Sequence, residues 1–214
     1  MKIALLGAES TGKTQLAGDL AARLRAQGKS VAVVPELLRE WCLREGRQPR
    51  PDEQLPIARR QEASVDQAAQ ASGIVVADTT ALMVAIYSGM LFADGELYRF
   101  ALARQRLYDL TLLTGLDLPW VADGLHREGP HVREQVDALV RRALADAGVA
   151  YRVVYGQGED RLANALAAVD ARLAGAAHVP SGRQWQWACD KCSDPQCELR
   201  LFTSRRMSDA AART

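Results

Sequence analysis

Lys2-Ile3-Ala4-Leu5-Leu6, followed without a break by Gly7-Ala8-Glu9-Ser10-Thr11-Gly12-Lys13-Thr14, is the stretch that decides how the chain is read. Its first part is a short apolar strand, and its second fits G-x-x-x-x-G-K-[ST] at every fixed position. Small residues in such a loop let successive backbone N–H groups wrap the phosphates of a nucleotide, and the positive end of the following helix adds to the attraction. In this reading Gly7, Glu9, Ser10, Thr11, Gly12, Lys13 and Thr14 hold the nucleotide. Lys13 reaches the β- and γ-phosphates, and the Thr14 hydroxyl ligates Mg²⁺.

Working outward, Leu16, Ala17, Leu20, Ala21 and Leu24 form one face of a helix that stops near Gly28, and Ser30 to Val34 reads as a second buried strand. Strand, loop, helix and strand make a βαβ unit. Segment 35–50 then carries Glu36, Arg39 and Glu40 ahead of Pro49 and Pro51, and charged groups just past a strand end lie at the ligand-binding edge of a parallel sheet. From Asp52 to about Ser72 the spacing of Ile57, Ala58, Gln61, Val65 and Ala68 is helical. Ile74 to Asp78 is a third apolar strand ending in a carboxylate. Behind a phosphate loop, such an acid holds Mg²⁺ directly or through water.

Helical segments are expected over Ala81 to Phe92 and Leu97 to Leu107, with a fourth strand at Leu110 to Thr114. A polar, turn-rich loop, Leu116 to Arg127, follows on the same edge of the sheet. Val132 to Ala147 is an amphipathic helix and Tyr151 to Tyr155 a fifth strand. Gly156 to Asp160 reads as a turn before a final helix marked by Leu162, Leu166, Val169 and Leu173. Five short apolar strands alternating with helices predict an α/β sandwich on a five-stranded parallel sheet. Regular apolar spacing ends after about Gly175, which divides a kinase domain, 1–175, from a Cys- and Trp-containing tail, 176–214.

The 27 Lys and Arg against 26 Asp and Glu give a formal charge of +1, with no global field to draw nucleic acid or an anionic membrane. No apolar run approaches a bilayer-spanning length, and the first residues lack a signal-peptide core, so a cytoplasmic protein is expected. In the tail, Cys189-x-x-Cys192 followed by Cys197 suits a soft metal. Zinc there needs a fourth ligand, with His178 and Cys42 as candidates; the bland alternative is a reduced tail packing Trp185, Trp187, Leu199 and Phe202 on the main domain. His126 and His131 read as loop residues.

These segments together resemble the nicotinamide riboside kinase domain at the C-terminal end of bacterial NadR proteins. The resemblance rests on the Gly7 to Thr14 loop, Pro35-Glu36 with Arg39-Glu40, and Asp78-Thr79-Thr80. It continues through Leu107-Tyr108-Asp109-Leu110, Trp120-Val121-Ala122-Asp123-Gly124-Leu125, and Gly156 with Arg161, covering roughly residues 1 to 173. The resemblance implies that the sandwich is a three-layer fold of the P-loop nucleoside- and nucleotide-kinase type. It implies phosphoryl transfer from MgATP to the ribose 5′-hydroxyl of nicotinamide riboside, giving nicotinamide mononucleotide. Lys13 and Thr14 then serve the phosphates and Mg²⁺. Asp78 is the acid nearest the metal and the attacking hydroxyl; Glu36 and Asp123 are substrate-side carboxylates, with Arg39 and Trp120 beside them; Arg161 flanks the adenine. An arginine closing over the γ-phosphate would stabilise the transition state, and Arg127 and Arg133 are the candidates.

The chain departs from the family pattern at Thr80, where a second Asp is usual, and at Ala122-Asp123, where an acidic pair precedes Gly. It departs again at His126, in place of Arg, and at Leu37, in place of an aromatic that Trp41 or Tyr87 would have to replace. These changes leave the ATP half intact and touch the acceptor half. Two further readings therefore stay open: a kinase of another nucleoside or nucleotide, and an ATP-binding regulatory switch. A GTPase is disfavoured, because no N-K-x-D signature follows the fourth strand.

Overall fold

The first strand, β1 (Lys2–Leu6), lies at the centre of the sheet because both its faces are apolar and both are covered. A computed structural model describes residues 1–91, 95–121 and 131–175 of the chain. Four more strands, β2 (Val31–Val34), β3 (Ile74–Asp78), β4 (Leu110–Thr114) and β5 (Arg152–Val154), complete an all-parallel sheet in the order β2-β3-β1-β4-β5. Near-continuous apolar runs are what a parallel sheet buried on both faces requires. All five strands lie where the sequence pattern predicts them, within a residue at each end.

Seven helices connect and cover the strands among the described residues: α1 (Lys13–Ala26), α2 (Leu37–Glu45), α3 (Pro51–Ala71), α4 (Ala81–Leu91), α5 (Gly95–Gln105), α6 (His131–Asp146) and α7 (Gly158–Leu173). Side chains alternate across the strands, so that Ile3, Leu5, Ile74, Val76 and Leu112 join α1 and α7 in one apolar layer. On the opposite face Leu6 and Leu113 pack with residues of α3, α4, α5 and α6. No helix among the described residues is long and apolar enough to cross a membrane.

Two details differ from the sequence-based expectation. Segment 35–50 contains α2, which the pattern does not announce because it is only 9 residues long and none of its side chains is fully buried, Leu38 and Trp41 being only partly covered. Its ends are set locally, by Glu36 in extended backbone at one end and Gly46 at φ 67° at the other, where the Gly46 N–H returns to the Cys42 carbonyl. The second is that two helices begin inside expected loops, α7 at Gly158 within the expected turn and α6 at His131, which the sequence pattern reads as a loop residue.

The strand order fixes where a ligand can sit. From β1 the chain crosses to β2 and returns through β3 on one side, then passes to β4 on the other. The C-terminal end of β1 is therefore the switch point, and crevices for ligands in open α/β sheets open there. The Gly7 to Thr14 loop leaves the sheet at that point.

Candidate nucleotide-binding site

The loop is bent by backbone that few residues tolerate. Gly7 adopts φ 145°, and a Cβ there would lie 2.1 Å from Thr114 Oγ1. Gly12, in the left-handed region at φ 73°, is the N-cap of α1, and Ser10 stands at φ 53°. Gly12 has no side chain to cap α1 and no acidic residue occupies the first turn, so among the described residues the terminal N–H groups and positive dipole end are open to an anion.

Threonines fix the curve of the loop. Thr11 Oγ1 donates to the Ala8 carbonyl at 2.8 Å, and Thr114 Oγ1 lies 2.7 Å from Thr11 Oγ1 and 3.1 Å from the Leu6 carbonyl oxygen. Lys13 reaches back to donate to the Ala8 carbonyl at 2.7 Å, which keeps its ammonium over the loop. Glu9 is buried beside Ala8 and Thr11.

Asp78 ends β3 in register with Leu5 of β1, and is 2% exposed. Its Oδ2 accepts the Thr14 hydroxyl at 2.6 Å, whereas Oδ1 is buried without a hydrogen-bond partner among the described residues. A buried carboxylate oxygen left without a partner is costly unless a ligand meets it. An oxygen pair from a hydroxyl and a carboxylate, beside a phosphate loop, fits a hard divalent ion that keeps several waters, as Mg²⁺ does.

Glu36 and Arg39, both half-buried, sit at the start of α2 just beyond β2. The two strand exits carrying Glu36 and Asp78 are tied together by Gln61 of α3, which is 1% exposed. Gln61 Oε1 accepts the Leu37 N–H at 2.9 Å, while Nε2 donates to the Pro35 carbonyl at 3.2 Å and the Thr79 carbonyl at 3.4 Å. Thr79 itself stands at φ 68°, an unfavourable conformation for a β-branched residue that its neighbours hold in place.

The helix register around α3 exposes a second buried polar group. Glu62 Oε1 accepts the Ala81 N–H at the start of α4, and Oε2 meets Arg104 Nε at 3.3 Å and the Tyr108 hydroxyl at 3.2 Å. Burial, reinforced by the Glu62 charge, pushes the Tyr108 phenol well above its ordinary range. Lys2 and Arg104 meet in turn at Asp66; burial pushes this carboxyl up, but their hydrogen bonds outweigh it and hold it below the usual carboxylate range.

Several sequence-derived candidates are now placed. Thr80 accepts the Leu82 N–H and donates to Gln105, so this departure from the family pattern serves to begin α4. Trp41 and Tyr87 both pack at the rim of the same apolar layer, and the Arg47 guanidinium lies 4.8 Å from the Trp41 ring centroid. Trp120 is half-buried at the end of the described β4 loop, whose Val121 carbonyl accepts the Ser10 hydroxyl at 2.6 Å. Arg133, 6% exposed, donates to the Leu118 carbonyl at 3.0 Å. Arg161 is buried behind the loop. Asp123, Arg127 and His126 lie outside the described residues, as do His178, Cys189, Cys192 and Cys197. Gln61, Glu62 and Asp117 were not identified as site residues from sequence. Gln61 and Glu62 left a faint signal, polar side chains on the helix face that also carries Ile57, Ala58 and Val65.

The sequence matches the family model described as AAA domain over residues 2–161. The chain belongs to that AAA domain family. Its fold is similar to a crystal structure of NadR protein in complex with NR, at TM-score 0.64 and 19% identity, covering 80% of this chain and 50% of that one. It is also similar to NadR protein in complex with NAD and AMP-PNP, at TM-score 0.60 and 20% identity, covering 81% of this chain and 49% of that one. The chain thus spans about half the length of the NadR structures it matches. A comparison with curated proteins gave no match. The resemblance drawn from sequence is borne out at the level of fold: this is a P-loop nucleotide-binding domain built like those NadR structures.

Proposed function

We propose that the protein is an ATP-dependent kinase that phosphorylates the ribose 5′-hydroxyl of nicotinamide riboside to give nicotinamide mononucleotide. The observation that carries the reading is Asp78, with one oxygen on the Thr14 hydroxyl and the other buried without a partner among the described residues. A carboxylate held in this way beside a phosphate loop can both serve a metal and accept a proton from an attacking hydroxyl.

In the proposed reaction the acceptor oxygen attacks the γ-phosphorus, the bond to the β,γ-bridging oxygen breaks, and ADP leaves. The hydroxyl proton passes to a carboxylate, Asp78 or Glu36. Thr14 and Asp78 would hold Mg²⁺, which would supply charge neutralisation for the triphosphate. Lys13 steadies the same phosphates, and Arg127 closes over the transferring group. Glu36, Arg39, Trp120 and Asp123 hold the acceptor, carboxylates binding its diol through paired hydrogen bonds. The NR and AMP-PNP bound in the NadR structures of similar fold support this choice of acceptor and donor.

The test is incubation of the full chain with MgATP and a panel of nucleosides that includes nicotinamide riboside, followed by mass spectrometry of the products. Nicotinamide mononucleotide is the expected product. Transfer to a different nucleoside alone would move the acceptor. ATP hydrolysis indifferent to every acceptor would favour a regulatory ATPase and sink the kinase reading.

A further inference from the structure

Arg161, one of the most deeply buried charges in the described residues at 4% exposure, touches the phosphate loop from behind. Its Nη2 donates to the Thr11 carbonyl at 2.8 Å and to the Gly115 carbonyl at 3.3 Å. Its Nη1 donates to the Gly156 carbonyl at 2.8 Å and to Asp117 Oδ1 at 3.1 Å. All four Nη hydrogens therefore have acceptors within the chain, and Nε is buried without one among the described residues. The other oxygen of Asp117 accepts the Gly156 N–H at 2.6 Å, so Asp117, Gly156 and Arg161 form a closed triangle.

The four acceptors belong to different parts of the fold. Thr11 is in the phosphate loop, Gly115 follows β4, Asp117 is in the loop after β4, and Gly156 follows β5. A planar guanidinium with fixed donor directions is the side chain suited to joining four such groups. Thr11 is held from its other side by Thr114, so its carbonyl and hydroxyl are both fixed. With its Nη hydrogens in use on protein oxygens and its side chain 4% exposed, Arg161 offers a base neither a free Nη donor nor an open face for stacking.

We infer that Arg161 is a positioning residue for triphosphate binding, acting through the backbone of the phosphate loop and not by contact with adenine. It sets the direction of the loop's N–H groups by fixing the Thr11 peptide. The inference rests on the proposed ATP site, though not on the identity of the acceptor.

The experiment compares ATP with inorganic tripolyphosphate, both with Mg²⁺, by competition against a fluorescent ATP analogue on the full chain. Arg161→Lys keeps the charge but loses the fork, and is expected to weaken both ligands by the same factor, about 10- to 100-fold. Asp117→Asn, which leaves the three carbonyl contacts in place, is expected to weaken both in parallel by about 2- to 5-fold, and decides the matter if the lysine variant does not fold. The ³¹P resonance of the bound β-phosphate should also shift in the folded variant, which a fold merely weakened elsewhere would leave in place. A loss confined to ATP would assign Arg161 to the base, and no loss for either ligand would leave it without a role in binding; both overturn the inference. Tripolyphosphate that fails to compete even for the wild-type protein overturns it too, because the loop is then not the seat of affinity. Wild-type protein with no affinity for ATP sinks the proposed site itself, a different result.

Discussion

The Thr14 hydroxyl donates to Asp78 Oδ2 at 2.6 Å, joining the first turn of α1 to the end of β3 across the mouth of the phosphate loop. The bond holds both oxygens near one point before any ligand arrives. Asp78→Asn retains an oxygen for Thr14 but removes the charge. It is expected to lower phosphoryl transfer about 10²- to 10⁴-fold and to abolish the strengthening of ATP binding by Mg²⁺. Calorimetry with and without Mg²⁺ checks this, and an unaltered metal dependence would remove Asp78 from the metal.

Lys13 has a different relation to the same loop. Its Nζ rests on the Ala8 carbonyl at 2.7 Å, a bond that must yield when phosphates take the ammonium. Lys13→Ala should leave the far-ultraviolet circular dichroism unchanged, since no layer of the core depends on this side chain. Transfer should fall at least about 10²-fold, the scale of losing one preorganised electrostatic contact. Retained turnover would refute the placement of the phosphates.

The buried Tyr108 phenol gives a prediction in pH. Burial and the Glu62 charge raise its folded value well above that of an exposed tyrosine. The unfolded chain therefore loses this proton at lower pH than the folded chain does. The contribution to stability is complete below about pH 10 and declines as pH rises from there toward the folded value. The melting temperature should fall steeply above about pH 10, and Tyr108→Phe should flatten that limb while costing about 1 kcal/mol at neutral pH. An unchanged alkaline limb in the variant would place its origin elsewhere.

The five strands and the phosphate loop were legible because both depend on local pattern: apolar runs for strands buried on both faces, and a loop whose small residues and lysine have fixed spacing. What escaped depends on long-range pairing or on surface. α2 is 9 residues long with no fully buried side chain, so its apolar positions Leu38 and Trp41 give only a short, weak periodic signal. Gln61, Glu62 and Asp117 act on backbone groups far away in sequence, so their own neighbourhoods do not reveal those partners. Arg161 stood out in the sequence only through the family resemblance, and its burial against the Thr11, Gly115 and Gly156 carbonyls depends on loops distant in sequence.

Gly7 tests how tightly the loop is built. An added methyl would meet Thr114 Oγ1 at 2.1 Å, and φ 145° is strained for any residue with a Cβ. Gly7→Ala should therefore combine overpacking with backbone strain, for a loss of about 2–6 kcal/mol by chemical denaturation. Adding Thr114→Ala should recover only part, because the backbone term stays and the Thr114 carbonyl oxygen lies 3.2 Å away. Full recovery in the double variant would show that the strain at Gly7 is small.

Gln61 offers the sharpest separation of acceptor chemistry from ATP binding. Its amide holds Pro35 and Leu37, which flank Glu36, and the strained Thr79, which follows Asp78. Gln61→Leu is close in volume but frees all three backbone groups, so the two carboxylates lose their common reference. Because misplacement by about 1 Å can cost roughly 10²-fold in rate, kcat for transfer should fall on the order of 10- to 100-fold. KM for ATP should stay within about threefold, since Gln61's hydrogen bonds among the described residues go to Pro35, Leu37 and Thr79 and not to the phosphate loop. Gln61→Glu supplies a further check: the ionised carboxylate accepts from Leu37 but cannot donate to Pro35 or Thr79, whereas the protonated form regains one donor. Its activity relative to wild type should therefore rise as pH falls, and a pH-independent ratio would show that Gln61 contributes only to packing.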